Sequence, residues 1–403
     1  MYTLDDFRDV VGDKVLADIY RAARGLYGVK VLHVNSTYYG GGVAEMLYTL
    51  IPLMNDAGIS ADWRIMRGTP DFFNITKEFH NAIQGDEITL TDVKKDLYQQ
   101  TNEDFASYCK IDADVVIIHD PQPLPMIQYY KKSQPWVWRC HVDLSHPNPE
   151  LWRFLKRFIL RYNTAIVSHE MYKKDDLHVD QRVIAPVIDP LSLKNKDLTP
   201  DQITEILKSY NVPTDKPFIT QISRFDKWKD PLGVIEVYKM VRKEFDCRLV
   251  LCGSMASDDP EGMVIYDEVQ QRAKELIDNR DLILISVENN TMVNALQRSA
   301  AAIIQKSIRE GFGLTVTEGL WKGKPVIASH VGGIPLQITD GETGFLVDPH
   351  DLRGCADRVL RVLREPKMAE EIGVKAKEEV RKKFLITRLV FDDLKLVSDL
   401  VGH

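Results

Sequence analysis

The stretch KSIREGFGLTVTEGLWKGKPVIASHVGGIPLQITDGETGFLVDP, residues 306–349, decides the architecture. It leaves the β-branched run AAIIQKS, passes a helical segment around 315–322, and contains two more short apolar runs, PVIAS and TGFLVDP. Strand, helix, strand in repetition is the mark of a parallel sheet covered by helices on both faces. Upstream the same alternation holds, with strands PFITQIS, CRLVLCG and LILIS and helices around 231–245, 266–277 and 292–299.

The segment 188–216 interrupts the pattern with three prolines and alternating charge, and reads as a linker carrying one short helix. Before it the alternation runs again: strands near 29–35, 61–67, 114–120, 136–144, 164–168 and 182–188. The helix 43–54 among them repeats Val43, Met46, Leu47, Leu50, Ile51 and Met54 at a 3.6 period. Two α/β domains of comparable size are expected, residues 1–195 and 210–380. The apolar residues of 384–401 let a C-terminal helix, 381–403, cross back onto the first domain. Open α/β sheets bind ligands beyond the carboxyl ends of their strands, so the loops at those ends are where chemistry is sought.

Composition narrows the classes. With 403 residues, 44% of them hydrophobic and 28% charged, the chain is neither a small stapled scaffold nor generally disordered. A net charge of −7 argues against a nucleic-acid binder, whose affinity rests on many cations releasing counterions from phosphates. Five scattered cysteines give neither a zinc pattern nor a disulfide framework. The acidic start MYTLDDFRDVVGDKV is no signal peptide, and no apolar run reaches the roughly 18 residues that span a bilayer. A cytoplasmic protein without membrane partners is expected, its Asn-x-Ser/Thr matches unused.

Four constellations sit at expected strand ends. In NSTYYGGGVAEML, the glycines Gly40, Gly41 and Gly42 let backbone N–H groups approach an anion at a helix start, or serve as a flexible turn. The turn is long and the second strand ends in Arg64 and Arg67, which counts against NAD. In SRFDKWKDPLG, Arg224 and Lys229 could clamp a diphosphate, or form a solvated basic loop; Asp230, directly after the lysine, softens the positive potential. In REGFGLTVTEG, Glu310 and Glu318 flank Gly311 and Gly313 and a helix starting near Leu314 and Thr315. The glycines expose N–H groups for phosphate, and Glu318 can accept two hydrogen bonds from a ribose diol. A glycosidase carboxylate pair is the other reading, but hydrolysis has no use for a phosphate cradle between them. In WVWRCHVDLSHPNPELW, His141 closes a strand with Asp143 two residues on, so both point to one side if the strand continues. His141 could bind a sugar hydroxyl or serve a structural hydrogen bond; Trp136 and Trp138 share a face and suit core packing.

Together the glycine turn, the Arg-x4-Lys pair, the Glu-x7-Glu motif and VGGIPLQITDGETGFLVDP resemble the retaining nucleotide-sugar glycosyltransferases of the glycogen-synthase and sucrose-synthase type. GGVAEML and RCHVD followed by HPNP resemble, more narrowly, the trehalose glycosyltransferring synthases. The resemblance implies a GT-B architecture of two Rossmann-like doubly wound domains facing each other across a cleft. It implies that Arg224 and Lys229, with the backbone at Gly42 and at Gly313 to Thr315, stabilise the leaving diphosphate. Glu318 would hold the ribose, Glu310 the donor glucose hydroxyls and His141 the region of the anomeric carbon, while Glu45 and Asp143 border the acceptor. No cofactor is tightly bound, no metal site is implied, and Mg2+ can accompany the nucleotide. The expected activity is reversible α,α-trehalose formation from UDP- or ADP-glucose and free glucose. The alternatives are a trehalose phosphorylase using glucose 1-phosphate, another nucleotide-sugar glucosyltransferase or epimerase, and a non-catalytic nucleotide-binding regulator. The partners are small molecules, and a homodimer is admitted, although no motif sets the oligomeric state.

Overall fold

A computed structural model describes residues 2–38, 41–253 and 260–402. The chain divides into two units, Met1–Val187 with Ile386–His403, and Ile188–Leu385. Each is built on one six-stranded, wholly parallel sheet.

In the first unit the strands are β1 Lys30–Asn35, β2 Ser60–Ile65, β3 Val115–His119, β4 Trp136–Arg139, β5 Thr164–Val167 and β6 Asp180–Val183, in the order β2-β1-β3-β4-β5-β6. VVIIH, WVWR and TAIV are buried at every position, as strands covered on both faces must be, while the edge strand SADWRI alternates exposed and half-buried residues. Trp136 and Trp138 are core residues, and the Trp138 indole N–H finds the Asp120 carbonyl at 3.0 Å.

Two strands are shorter than the sequence implies. β4 stops at Arg139 because the next available backbone donor, the His141 N–H, goes to Asp120 Oδ1 at 2.8 Å. His141 and Asp143 therefore lie in a loop and do not share a strand face, contrary to the expectation for 136–144. β6 ends at Val183, shortly before Pro186, whose nitrogen cannot donate to a ladder.

In the second unit β7 Phe218–Ile222, β8 Arg248–Gly253, β9 Leu282–Ser286, β10 Ala302–Gln305, β11 Val326–Ser329 and β12 Phe345–Val347 run in the order β12-β11-β10-β7-β8-β9. Counted within this unit, that is the doubly wound Rossmann order, and the direction of strand addition reverses between β7 and β10. Residues 188–216 are ordered against the helix Asn290–Ser299: Asn294 Nδ2 donates to the Leu193 and Lys196 carbonyls at 3.0 and 2.8 Å. Their short helix, Pro200–Ser209, starts on a Thr199–Gln202 capping box.

The C-terminal helix Ile386–Val401 packs on the helices Asp13–Ala23 and Gly42–Asp56 of the first unit. Its Asp393 is fully buried and accepts Arg139 Nη1 at 3.1 Å on both carboxylate oxygens. Burial pushes the Asp393 pKa up, and the Arg139 charge opposes that rise. Removing one partner strands the other charge in the core, which costs about 3–5 kcal/mol, whereas replacing both by apolar groups is often close to neutral. Asp393→Ala is therefore expected to lower unfolding stability by roughly that amount in urea titrations, and Arg139→Met with Asp393→Leu by much less.

Candidate active site

In the second unit the loops that follow β7 and β10 meet where the strand order reverses. After β7 the chain turns through Arg224 and a 3-10 segment Lys227–Lys229 into the helix Pro231–Val241. After β10 it runs through Ser307 and Glu310 to Gly313, then enters the helix Leu314–Trp321. The Ile308 N–H donates to the Trp228 carbonyl at 2.7 Å, stitching the loops together. The Arg309 guanidinium lies 4.3 Å from the centre of the Trp228 ring, a cation–π contact.

Lys229 Nζ lies 2.6 Å from Glu310 Oε2, and both side chains are largely shielded from solvent. The same carboxylate oxygen accepts Ser307 Oγ at 3.2 Å and Gln305 Nε2 at 3.3 Å. Gln221 Nε2, at the end of β7, holds the Lys229 carbonyl at 2.6 Å. Glu310 is thus a fixed acceptor with an ammonium beside it, an arrangement that can take a sugar hydroxyl on one side and an anion on the other.

Asp230 does not soften this potential as expected. It adopts a left-handed conformation, φ +47°, and its Oδ1 caps the helix Pro231–Val241 through the Gly233 N–H at 3.0 Å. Its Oδ2 is held by the buried ammonium of Lys306, which also donates to the Pro349 carbonyl at 2.6 Å. The Asp230 charge is consumed beneath the loop.

Gly313 precedes the helix Leu314–Trp321 at φ +84°, and a Cβ there would stand 3.1 Å from Glu310 Cγ, so the turn favours glycine. The N–H groups of such a first helical turn, here Leu314 and Thr315, have no intrahelical acceptor and point to where an anion is stabilised. The turn of the segment 331–337 braces this loop: the Gly333 N–H donates to the Gly311 carbonyl at 3.1 Å, and Gln337 Nε2 to the Phe312 carbonyl at 2.5 Å. Glu318 is buried one turn into the helix, 3.7 Å from Lys194 Nζ and 3.5 Å from Gln297 Nε2. Beside it Lys322 donates to Asn195 Oδ1 and Gln297 Oε1 at 2.9 and 2.6 Å. Burial pulls the Lys322 pKa down to about 7, against the pull of the Glu318 carboxylate. Arg224 stands apart from the Lys229–Glu310 pair: it is more than half exposed and reaches Asp226 Oδ2 at 3.5 Å.

In the first unit, Gly41 precedes the helix Gly42–Asp56 at φ +82°; Gly40 lies outside the described residues. Glu45 is exposed in the first turn of that helix. Asp143 folds back on its own turn, accepting the Ser145 N–H and Oγ at 2.7 and 2.6 Å. His141 Nε2 lies 2.9 Å from His119 Nδ1, whose Nε2 lies 3.0 Å from His33 Nδ1.

Known proteins match the chain over nearly its whole length. Residues 33–174 match the family described as trehalose synthase, N-terminal domain, and residues 202–379 match glycosyl transferases group 1. The trehalose synthase of Pyrococcus horikoshii is 45% identical over 99% of this chain and 97% of its own. The chain belongs to the trehalose synthase family. It is a glycosyltransferase of the GT-B fold, two Rossmann-like doubly wound domains. The UDP-forming α,α-trehalose-phosphate synthase of Burkholderia xenovorans shares that fold at 14% identity, with a TM-score of 0.73 over 93% of this chain and 100% of the other. A trehalose phosphorylase of Grifola frondosa is 29% identical over 94% of this chain and 58% of its own. No helix among the described residues is long and apolar enough to cross a membrane.

For a trehalose synthase family member, the residues that motif reading missed are mostly buried. Lys306 and Lys322 read as ordinary lysines, and His33 and His119 as members of apolar strands. A signal was present: KVLHVN, VVIIH and WVWRCH each place an imidazole at or near the carboxyl end of a neighbouring strand.

Burial lowers the pKa of His33 and of His141 to about 3 and holds that of His119 well below its usual value; the Arg139 charge adds to this at each ring. The unfolded chain protonates these rings as pH falls through about 6.5 while the fold does not, so each removes about 1.4 kcal/mol of stability per pH unit below that point. Asp120, raised to about 7 by burial, acts in the opposite sense, holding a proton that the unfolded chain releases above about 4. With three imidazoles against this one carboxyl, the net expectation is a falling urea midpoint from about pH 6.5 to about 4.5. A His119→Phe variant should flatten that fall.

Proposed function

We propose that this chain is a retaining glucosyltransferase that forms α,α-trehalose reversibly from nucleoside-diphosphate glucose and free glucose. The observation that carries the reading is the Lys229–Glu310 pair at 2.6 Å beside the Gly313 helix start. A diphosphate needs fixed cations and N–H groups, and glucose hydroxyls need a fixed acceptor; here they adjoin. The 45% identity to a protein named trehalose synthase supports the sugar product.

As the bond from C1 to the phosphate oxygen breaks, the ring takes positive charge and the diphosphate negative charge. Lys229, Arg224 and the N–H groups of Leu314 and Thr315 act on that developing negative charge. Such preorganised donors are worth about 3–4 kcal/mol each in comparable sites. The acceptor hydroxyl forms the new bond to C1 from the same face and passes its proton to the departing phosphate oxygen, so configuration is retained and no enzyme nucleophile is required. Glu310, tied to Lys229, orients the glucose rather than attacking it. Glu318 takes the ribose, His141 a sugar hydroxyl, and Glu45 and Asp143 the acceptor side; any Mg2+ arrives with the nucleotide.

The second reading, phosphorolysis through glucose 1-phosphate, is favoured by the 29% identity to a trehalose phosphorylase. Incubation of glucose with UDP-glucose or ADP-glucose is expected to yield trehalose and the free diphosphate. Trehalose only from glucose 1-phosphate and glucose would overturn the donor assignment. Arg224→Ala, at an exposed position, should cut turnover about 100-fold with unchanged unfolding stability. Near-normal turnover would remove Arg224 from the site.

A further inference from the structure

Three imidazoles join strands that are consecutive in the first sheet: His33 in β1, His119 closing β3 and His141 just after β4. His33 Nδ1 lies 3.0 Å from His119 Nε2, and His119 Nδ1 lies 2.9 Å from His141 Nε2. Successive ring planes are inclined by only 22° and 14°, with centroids 5.3 Å apart in both pairs. That spacing, with such short N···N distances, is an edge-to-edge N–H···N chain and not face-to-face stacking.

An N–H···N bond needs one protonated and one bare nitrogen, and a neutral imidazole has one of each. The choice therefore propagates: all three rings carry the proton on Nδ1, or all three on Nε2. The inner end settles it. His33 is fully buried, and its Nε2 has no hydrogen-bond partner among the described residues. Protons on Nε2 would bury an N–H with no acceptor, the rarer of the two defects in folded proteins. Protons on Nδ1 leave only a lone pair there. The neighbouring Arg139 charge, itself paired with Asp393, acts on all three rings against protonation and keeps the chain neutral.

We propose that His33 and His119 are positioning residues that lock His141 as a neutral imidazole with its proton on Nδ1, aimed as a hydrogen-bond donor at a hydroxyl oxygen of the sugar substrate. The substrate half of this statement rests on the trehalose-forming reading; the tautomer half does not. A neutral donor suits an oxocarbenium-like reaction, because it orients the sugar without adding positive charge to it. It also leaves the acceptor's proton to the departing phosphate.

The test is long-range 1H–15N NMR of the full chain labelled with 15N-histidine at pH 7, assigned with single-site variants. Bare Nε2 and protonated Nδ1 signals are expected for His33, His119 and His141, although a free histidine side chain favours Nε2–H. An Nε2–H signal from His141, or titration of His141 near its ordinary range, would overturn the proposal. In His119→Phe the bare His141 Nε2 loses its N–H donor, and its 15N signal should move further downfield. The same variant should lower kcat for trehalose formation about 10- to 100-fold, as loss of an outer orienting partner commonly does, with a smaller change in KM for the donor. His33→Asn, whose amide can replace the Nδ1–H donor, should keep the signature and most of the turnover. An unchanged kcat in His119→Phe would remove the positioning role even if the tautomer stands. If the wild type makes no trehalose, the substrate half falls and the NMR result still decides the tautomer.

Discussion

Lys229 and Glu310 are 81 positions apart in the chain, yet their side chains meet at 2.6 Å because β7 and β10 are neighbours in the second sheet. That adjacency is the consequence of winding a parallel sheet outward in two directions from its first strand. Loops leaving the two strands on either side of the reversal diverge to opposite faces, and the crevice between them is where an open α/β sheet binds its ligand. The other parts of the donor site are arranged around this junction. Lys306, at the end of β10, anchors the helix that follows β7 by holding Asp230 from below. The turn 333–337 fixes the glycine loop that carries Gly311 and Gly313.

The first unit uses the same constraint for different chemistry. Its reversal falls between β1 and β3, and there the glycine turn ahead of the helix Gly42–Asp56 accompanies His33 and His119. In place of an ion pair, this junction holds a run of neutral imidazoles whose protons cannot be rearranged singly. Both junctions draw rigidity from the same source: Lys306, Glu310 and His119 each bond to two or more neighbours, and an uncommitted buried polar group is costly. A site that must present fixed dipoles to a transient charge separation gains from that rigidity.

The order of strands and helices was legible because both sheets are covered on both faces, so each strand is a short apolar run between turn residues. Among the described residues the strands overlap the expected runs, although β6 begins at Asp180 and shares only Arg182 and Val183 with the run expected at 182–188. Glu310, Gly313 and Glu318 were legible as a group because one turn and the helix after it carry them all. What lay beyond reading were pairings made by strand adjacency. Lys306 with Asp230, Arg139 with Asp393 and the three imidazoles join residues that nothing local connects. Asp230 illustrates the cost: beside Lys229 in sequence it reads as a damping charge, while in space its carboxylate belongs to Lys306. The end of β4 is hidden for a related reason, since the donor that terminates it is claimed by Asp120, just past the neighbouring strand β3.

In the proposed reaction Lys229, held by Glu310, recognises the second phosphate of the donor. The most direct measurement is calorimetric binding of UDP against UMP, and of ADP against AMP, to the wild type and to Lys229→Met. The wild type is expected to bind the diphosphate at least about tenfold more tightly than the monophosphate of its preferred base, as a charge-assisted contact provides. In the variant this preference should collapse while monophosphate affinity changes little. A variant that keeps the full preference for the diphosphate would contradict that role.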